Sequence, residues 1–99
     1  MELKEKIEKD AVALCNKFGI NRLCIFGSVA RGSDTGDSDI DFLAEFDSPT
    51  PDDMPERYFG FIEEASRHFD REVQLITPRM LRNPHLIKSI EKDLIVVHE

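Results

Sequence analysis

Apolar positions in the first segment recur at helical spacing: Leu3, Ile7, Ala11, Leu14 and Phe18, with Val12 and Cys15 widening the stripe. Lysine and glutamate fill the other side. The pattern predicts a helix over Glu2 to Phe18, stopped by Gly19 at the C′ position. The run Asn21 to Phe26 is a short apolar strand, and Leu23-Cys24-Ile25-Phe26 reads as covered on both faces. Gly27-Ser28 then breaks the strand into a tight turn, with a helical turn through Ala30 and a positive φ at Gly32. A polar, turn-rich loop from Ser33 to Ser38 leads into a second strand carrying Ile40, Phe42 and Leu43.

The second half repeats this logic. Phe46 to Pro55 is a loop holding Pro49 and Pro51, and Asp53 with Pro55 marks a helix start. Tyr58, Phe61, Ile62, Ala65 and Phe69 form that helix's apolar stripe. Gly60 inside it costs about 1 kcal/mol relative to alanine, which predicts close packing at that point. Glu72 to Thr77 is a third strand. Asn83 and Pro84 read as N-cap and first residue of a short helix bearing Leu86, Ile87 and Ile90, and Leu94 to Val97 is a closing strand. The order predicts one α+β domain over residues 1–99, a small mixed sheet with helices packed on it.

Composition narrows the function classes. At 99 residues the chain is near the size where one modest core suffices. No apolar run approaches the roughly 18 residues of a membrane span. Two cysteines without metal-ligand spacing, on apolar stripes, read as small core hydrophobes in a reducing, cytoplasmic protein with no signal peptide. His68, His85 and His98 have no partner at ligand spacing, which argues against zinc. A formal net charge of −7 argues against tight non-specific binding to nucleic acid. It suits a small nucleotide carried in by a cation, or a basic protein partner.

The candidate chemistry lies between the first two strands. Ten residues separate Ser28 from the pair Asp39-x-Asp41. Side chains alternate along a strand, so these two carboxylates share a face about 7 Å apart along the chain. They repel unless a cation lies between them, and an oxygen-only pair suits Mg²⁺ or Mn²⁺ completed by substrate phosphate and water. Gly27 allows close approach of a phosphate to the backbone, and Ser28 can donate to its oxygens. Arg31 either reaches a phosphate or carboxylate or anchors the loop. A calcium loop starting at Asp37 fails on spacing, because its sixth position is Phe42 rather than glycine and its twelfth is Ser48 rather than glutamate. A solvated acidic turn accounts for Asp34 and Asp37 but not for Asp39 and Asp41, which flank buried-strand residues.

Gly27-Ser28-x-Ala30-Arg31-Gly32 with Ser38-Asp39-x-Asp41 resembles the signature of the DNA polymerase β-like nucleotidyltransferase superfamily. Its minimal members, the MntA-like MNT antitoxins of HEPN/MNT systems, are similar in length and element order. The resemblance implies a polymerase β-like nucleotidyltransferase fold and Mg²⁺-dependent transfer of AMP from ATP, or of another nucleoside monophosphate from its triphosphate. Asp39 and Asp41 then hold the metal, and Gly27, Ser28 and Arg31 the nucleotide. The implied acceptor is a hydroxyl of a partner protein, a tyrosine of a HEPN-type toxin. One position departs from the family, which carries a third acid where this chain has Gln74. Glutamine cannot act as a base and is a poor ligand for a hard dication. Glu72, two residues earlier, is a displaced substitute. The alternative reading is a catalytically impaired antitoxin that neutralises its partner by binding alone. A free-standing nucleotide sensor has least support.

Overall fold

The computed structural model describes residues 3–48, 50 and 52–99. Glu2, Pro49 and Pro51 of the predicted elements lie outside the described residues. Helix α1 covers Leu3–Phe18, followed by β1 (Ile20–Phe26), a short helix α2 (Gly27–Arg31) and β2 (Ile40–Phe46). Helix α3 (Met54–Phe69) leads to β3 (Val73–Ile76), a 3₁₀ turn at Pro78–Met80, α4 (Pro84–Asp93) and β4 (Ile95–His98). The four strands form one sheet in the order β3-β2-β1-β4. β1 runs antiparallel to both β2 and β4, whereas β2 and β3 are parallel and joined across α3. The sheet is therefore mixed, as the pattern of elements requires.

Alternation along the strands sorts the side chains. Leu23 and Ile25 of β1 and Ile40, Phe42 and Ala44 of β2 are buried in one cluster with Ile7, Ala11 and Leu14 of α1 and Phe61, Ala65 and Phe69 of α3. The rings of Phe42 and Phe61 meet edge-on at 5.3 Å, and Phe18 meets Phe61 the same way at 5.9 Å. A Cβ on Gly60 would lie 3.0 Å from the Phe18 ring, which accounts for a glycine inside a helix. Cys24 and Leu43, paired across β1 and β2, point to the opposite face and are buried with Ile90 of α4 outside that cluster. Cys15 and Cys24 are both free, and burial pushes the Cys15 thiol up to about 12.

Element ends differ from the sequence pattern in small ways. β3 is shorter than predicted by one residue at each end, because Glu72 contributes only its carbonyl, to the Ile40 N–H at 2.9 Å. β4 ends one residue later, since His98 still pairs with Leu23. Asp53 starts α3 without capping it; its carboxylate accepts from the Thr50 N–H and hydroxyl instead. Asn83 does cap α4, accepting the His85 N–H at 2.9 Å.

The far end of β2 is closed by one side chain. Arg57 donates to the carbonyls of Phe18 at 2.9 Å, Gly19 at 2.6 Å and Asp47 at 2.9 Å. Its guanidinium also lies over the Phe46 ring, 5.2 Å from the centroid.

Candidate active site

At its near end, β2 brings Asp41 between two neighbours. In register it faces Phe26 on β1 and Gln74 on β3, so its side chain and that of Gln74 leave the sheet on the same side as Leu43. Phe26 ends β1 in extended conformation and Gly27 turns the chain at φ +74°. A Cβ on Gly27 would collide with the Asp41 carboxylate. Glycine is therefore required here twice, by the left-handed backbone and by the acid pressed against it. Asp39, immediately before β2, accepts from Gln74 Nε2 at 3.1 Å.

The electrostatics follow from this crowding. Asp41 is half-buried, and its carboxyl is pushed above the ordinary range, first by burial and then by the charge of Asp39. Arg31 opposes the shift. Its guanidinium makes an ion pair with Asp93 of α4 at 2.9 Å, so α2 is tied to α4 beside the acid pair. Arg31 thus reaches a carboxylate, that of Asp93, and through it anchors α2.

Several contacts that hold the site in place left no signal in the sequence. Arg71 donates to the Ser38 carbonyl at 3.0 Å and lies 3.7 Å from the Asp34 carboxylate, pinning the loop just before Asp39. Ser38 Oγ accepts the Thr35 N–H at 2.8 Å within the same loop. Tyr58 donates its hydroxyl to the Leu75 carbonyl and so braces β3. These partners are 17 and 33 residues away in the case of Tyr58 and Arg71, beyond any local pattern. Glu72 is exposed, and among the described residues no third acid, histidine or cysteine converges with Asp39 and Asp41.

The donor set fits a hard divalent cation of the Mg²⁺ or Mn²⁺ kind. Two carboxylates lie together at the near end of β2, their repulsion only opposed in part by Arg31, and such ions take one or two protein carboxylates with phosphate and water. The set does not make an all-protein cage.

Comparison with known proteins identifies the family. Residues 5–97 match the family model described as a nucleotidyltransferase domain. A Methanocaldococcus jannaschii protein named "putative protein adenylyltransferase" is 40% identical over 96 residues, covering 97% of this chain and 95% of the relative. A solved structure described as a "putative minimal nucleotidyltransferase" superposes with a TM-score of 0.76 at 26% identity, covering 96% of this chain and 95% of the other. The fold is also found in a complex of a tri-AMPylated Shewanella oneidensis HEPN toxin with an MNT antitoxin, with a TM-score of 0.60 at 17% identity over 95% of this chain and 71% of the matched one. Over nearly its whole length, then, with an acid pair set against a Gly-Ser turn on a small mixed sheet, this chain belongs to the nucleotidyltransferase domain family, in its minimal form.

Proposed function

We propose that this protein transfers AMP from ATP to a hydroxyl of a partner protein, in the manner of an antitoxin. The observation that carries the reading is the Asp41 carboxylate pressed against the Gly27 turn with Asp39 beside it. Phosphate at the turn and cation at the acids are thereby brought to one place. The M. jannaschii relative's name supports adenylyl transfer, and the AMPylated toxin in the Shewanella complex supports a HEPN-type acceptor protein.

In the transfer, the acceptor oxygen bonds to the α-phosphorus, the bond to the bridging oxygen breaks, and pyrophosphate leaves with its electron pair. A bound Mg²⁺ or Mn²⁺ supplies neutralisation of the triphosphate charge. Asp39 and Asp41 hold that cation. The Gly27 turn admits the phosphates to the backbone, Ser28 donates to them, and Arg31 steadies α2 from Asp93. Gln74 cannot accept the hydroxyl proton, so the proton passes to water or to a group on the partner. A phenol, with an ordinary pKa of about 10, gives it up more readily than an alkyl alcohol, which favours a tyrosine acceptor. The domain is 1–99, with a cytoplasmic setting suited to its two free, buried cysteines. No helix among the described residues is long and apolar enough to cross a membrane.

A second reading, neutralisation by binding alone, is favoured by the neutral Gln74 at Asp39. The two separate in an overnight incubation with α-labelled ATP, Mg²⁺ and a HEPN-type protein as the candidate partner. Label on the partner, lost in Asp39→Asn, is the expected result. A partner silenced without ATP and without label would establish the binding-only reading.

A further inference from the structure

We infer that Gln74 restricts this site to a single divalent cation, by setting a neutral NH₂ donor on Asp39 where a second cation would need a free oxygen and added negative charge. The inference rests on the reading that Asp39 and Asp41 take a cation, and it deepens that reading by fixing how many.

The geometry gives Gln74 two effects. The side chain faces Asp41 across the parallel β2–β3 register and reaches Asp39 Oδ2 at 3.1 Å through Nε2. An ionised carboxylate only accepts hydrogen bonds, so the amide must present its NH₂ group there. The bond takes up one lone pair of Asp39 and sets an NH₂ donor against it, so a second cation on that oxygen would compete with the amide. The second effect is charge. Asp39 and Asp41 contribute two negative charges, and Gln74 adds none where a third acid would balance a second dication. No other acid, histidine or cysteine among the described residues converges there. Paired metal ions in two-metal sites lie about 3.5–4 Å apart and need a shared ligand or added charge to offset their repulsion. Here Asp41 and the triphosphate can be shared, but Gln74 puts a neutral donor on Asp39 in place of the charge that a second cation needs. The cation that it does hold is the one escorted by the triphosphate.

Gln74 is exposed and sits at the sheet edge, so replacing it leaves the core intact. It is also the only glutamine in the chain. Its side-chain NH₂ therefore gives one unambiguous pair of signals after labelling with ¹⁵N-glutamine.

The experiment titrates Mn²⁺ into the wild-type chain and Gln74→Glu with a non-hydrolysable ATP analogue, read by electron paramagnetic resonance. Wild type is expected to bind one magnetically isolated Mn²⁺ per chain, and Gln74→Glu two that are spin-coupled. In parallel, the labelled NH₂ signals are followed in wild type and Asp39→Ala, with and without Mg²⁺ and the analogue. They should differ between the two proteins, and in wild type should keep their position on loading. Two coupled Mn²⁺ ions in wild type, or one in Gln74→Glu, overturn the inference while leaving the cation site standing. So does movement of the wild-type NH₂ signals to the Asp39→Ala position on loading. Absence of Mn²⁺ from wild type, or binding equal to that of Asp39→Ala, overturns the cation site and the inference with it.

Discussion

The two ends of β2 are built on opposite principles. At the far end, Arg57 satisfies the carbonyls of Phe18, Gly19 and Asp47 and covers Phe46, so one charged group is used up by several acceptors. At the near end, Asp39 and Asp41 set like charges side by side, with Gly27 crowded against one of them and only a neutral amide reaching the other. The seven residues of one strand thus run from a saturated anchor to an unsatisfied site. Stability is concentrated where there is no chemistry, and the capacity to bind is kept where the free protein is least comfortable.

The sharpest way to break this comparison is to remove the near end's charge. Asp39→Asn/Asp41→Asn should abolish Mg²⁺-dependent ATP affinity in calorimetry and lower partner labelling at least about 10³-fold, with the fold retained. Unchanged ATP affinity with and without metal would show the acids to be ornament. Glu72→Gln serves as the control: Glu72 is exposed and joins no cluster of potential metal ligands with the pair, so labelling should persist.

The far end should answer in stability alone. Arg57→Ala removes the side-chain donor from the Phe18, Gly19 and Asp47 carbonyls, of which Gly19 keeps the Asp47 N–H, and uncovers Phe46; it should cost about 2–3 kcal/mol in urea unfolding. Nucleotide affinity of the folded molecules should stay the same, and a parallel loss of affinity would erase the distinction between the two ends. Next in size is Ser28→Ala, which removes one donor from the turn. It should weaken triphosphate binding by about 1–2 kcal/mol in calorimetry and leave the unfolding midpoint alone.

The smallest effect has the opposite sign. Asp41→Asn should stabilise the metal-free protein by about 0.5–1 kcal/mol, measured as a rise in Tm. The carboxyl of Asp41 is raised in the folded state, so between its ordinary value of 3.8 and that raised value the native protein binds more protons than the unfolded chain. Wild-type stability from this group therefore falls as pH rises through the window. The advantage of Asp41→Asn should be present at neutral pH and vanish in acid. A constant advantage across the titration would mean that packing, not charge, separates the two proteins.

Much of this arrangement was legible in the chain because it is local. The α1 stripe, the covered strand β1 and the Gly27–Gly32 turn depend on neighbours within a few residues, and periodicity records such neighbours. The glycine at position 60 was readable as a packing contact because a helix interior tolerates it for few other reasons. Gly27 was only half readable: the sequence pointed to a phosphate, while the structure adds Asp41 as the first atom a side chain would meet. Arg57 was silent, since its acceptors are backbone carbonyls as far as 39 residues away, and a carbonyl is present at every position. Arg71 and the Arg31–Asp93 pair were hidden for the same reason of distance. Gln74 stood out only against a family pattern; its bond to Asp39 gives it a physical meaning of its own.

The parallel rung between β2 and β3 also sets an order in time. Strands β1 and β2 are linked by a short excursion, so the Gly27 turn and Asp41 can meet early, whereas Gln74 reaches Asp39 only once a connection spanning the whole of α3 has closed. Closing longer loops is entropically dearer and slower. β3 is, besides, an edge strand of four residues, held by β2 on one side alone. Native-state hydrogen exchange should accordingly find the Gln74 and Ile76 amides opening before those of Cys24 and Leu43. A chain still emerging during synthesis would then own its phosphate turn and its two acids before it owns the residue that regulates them.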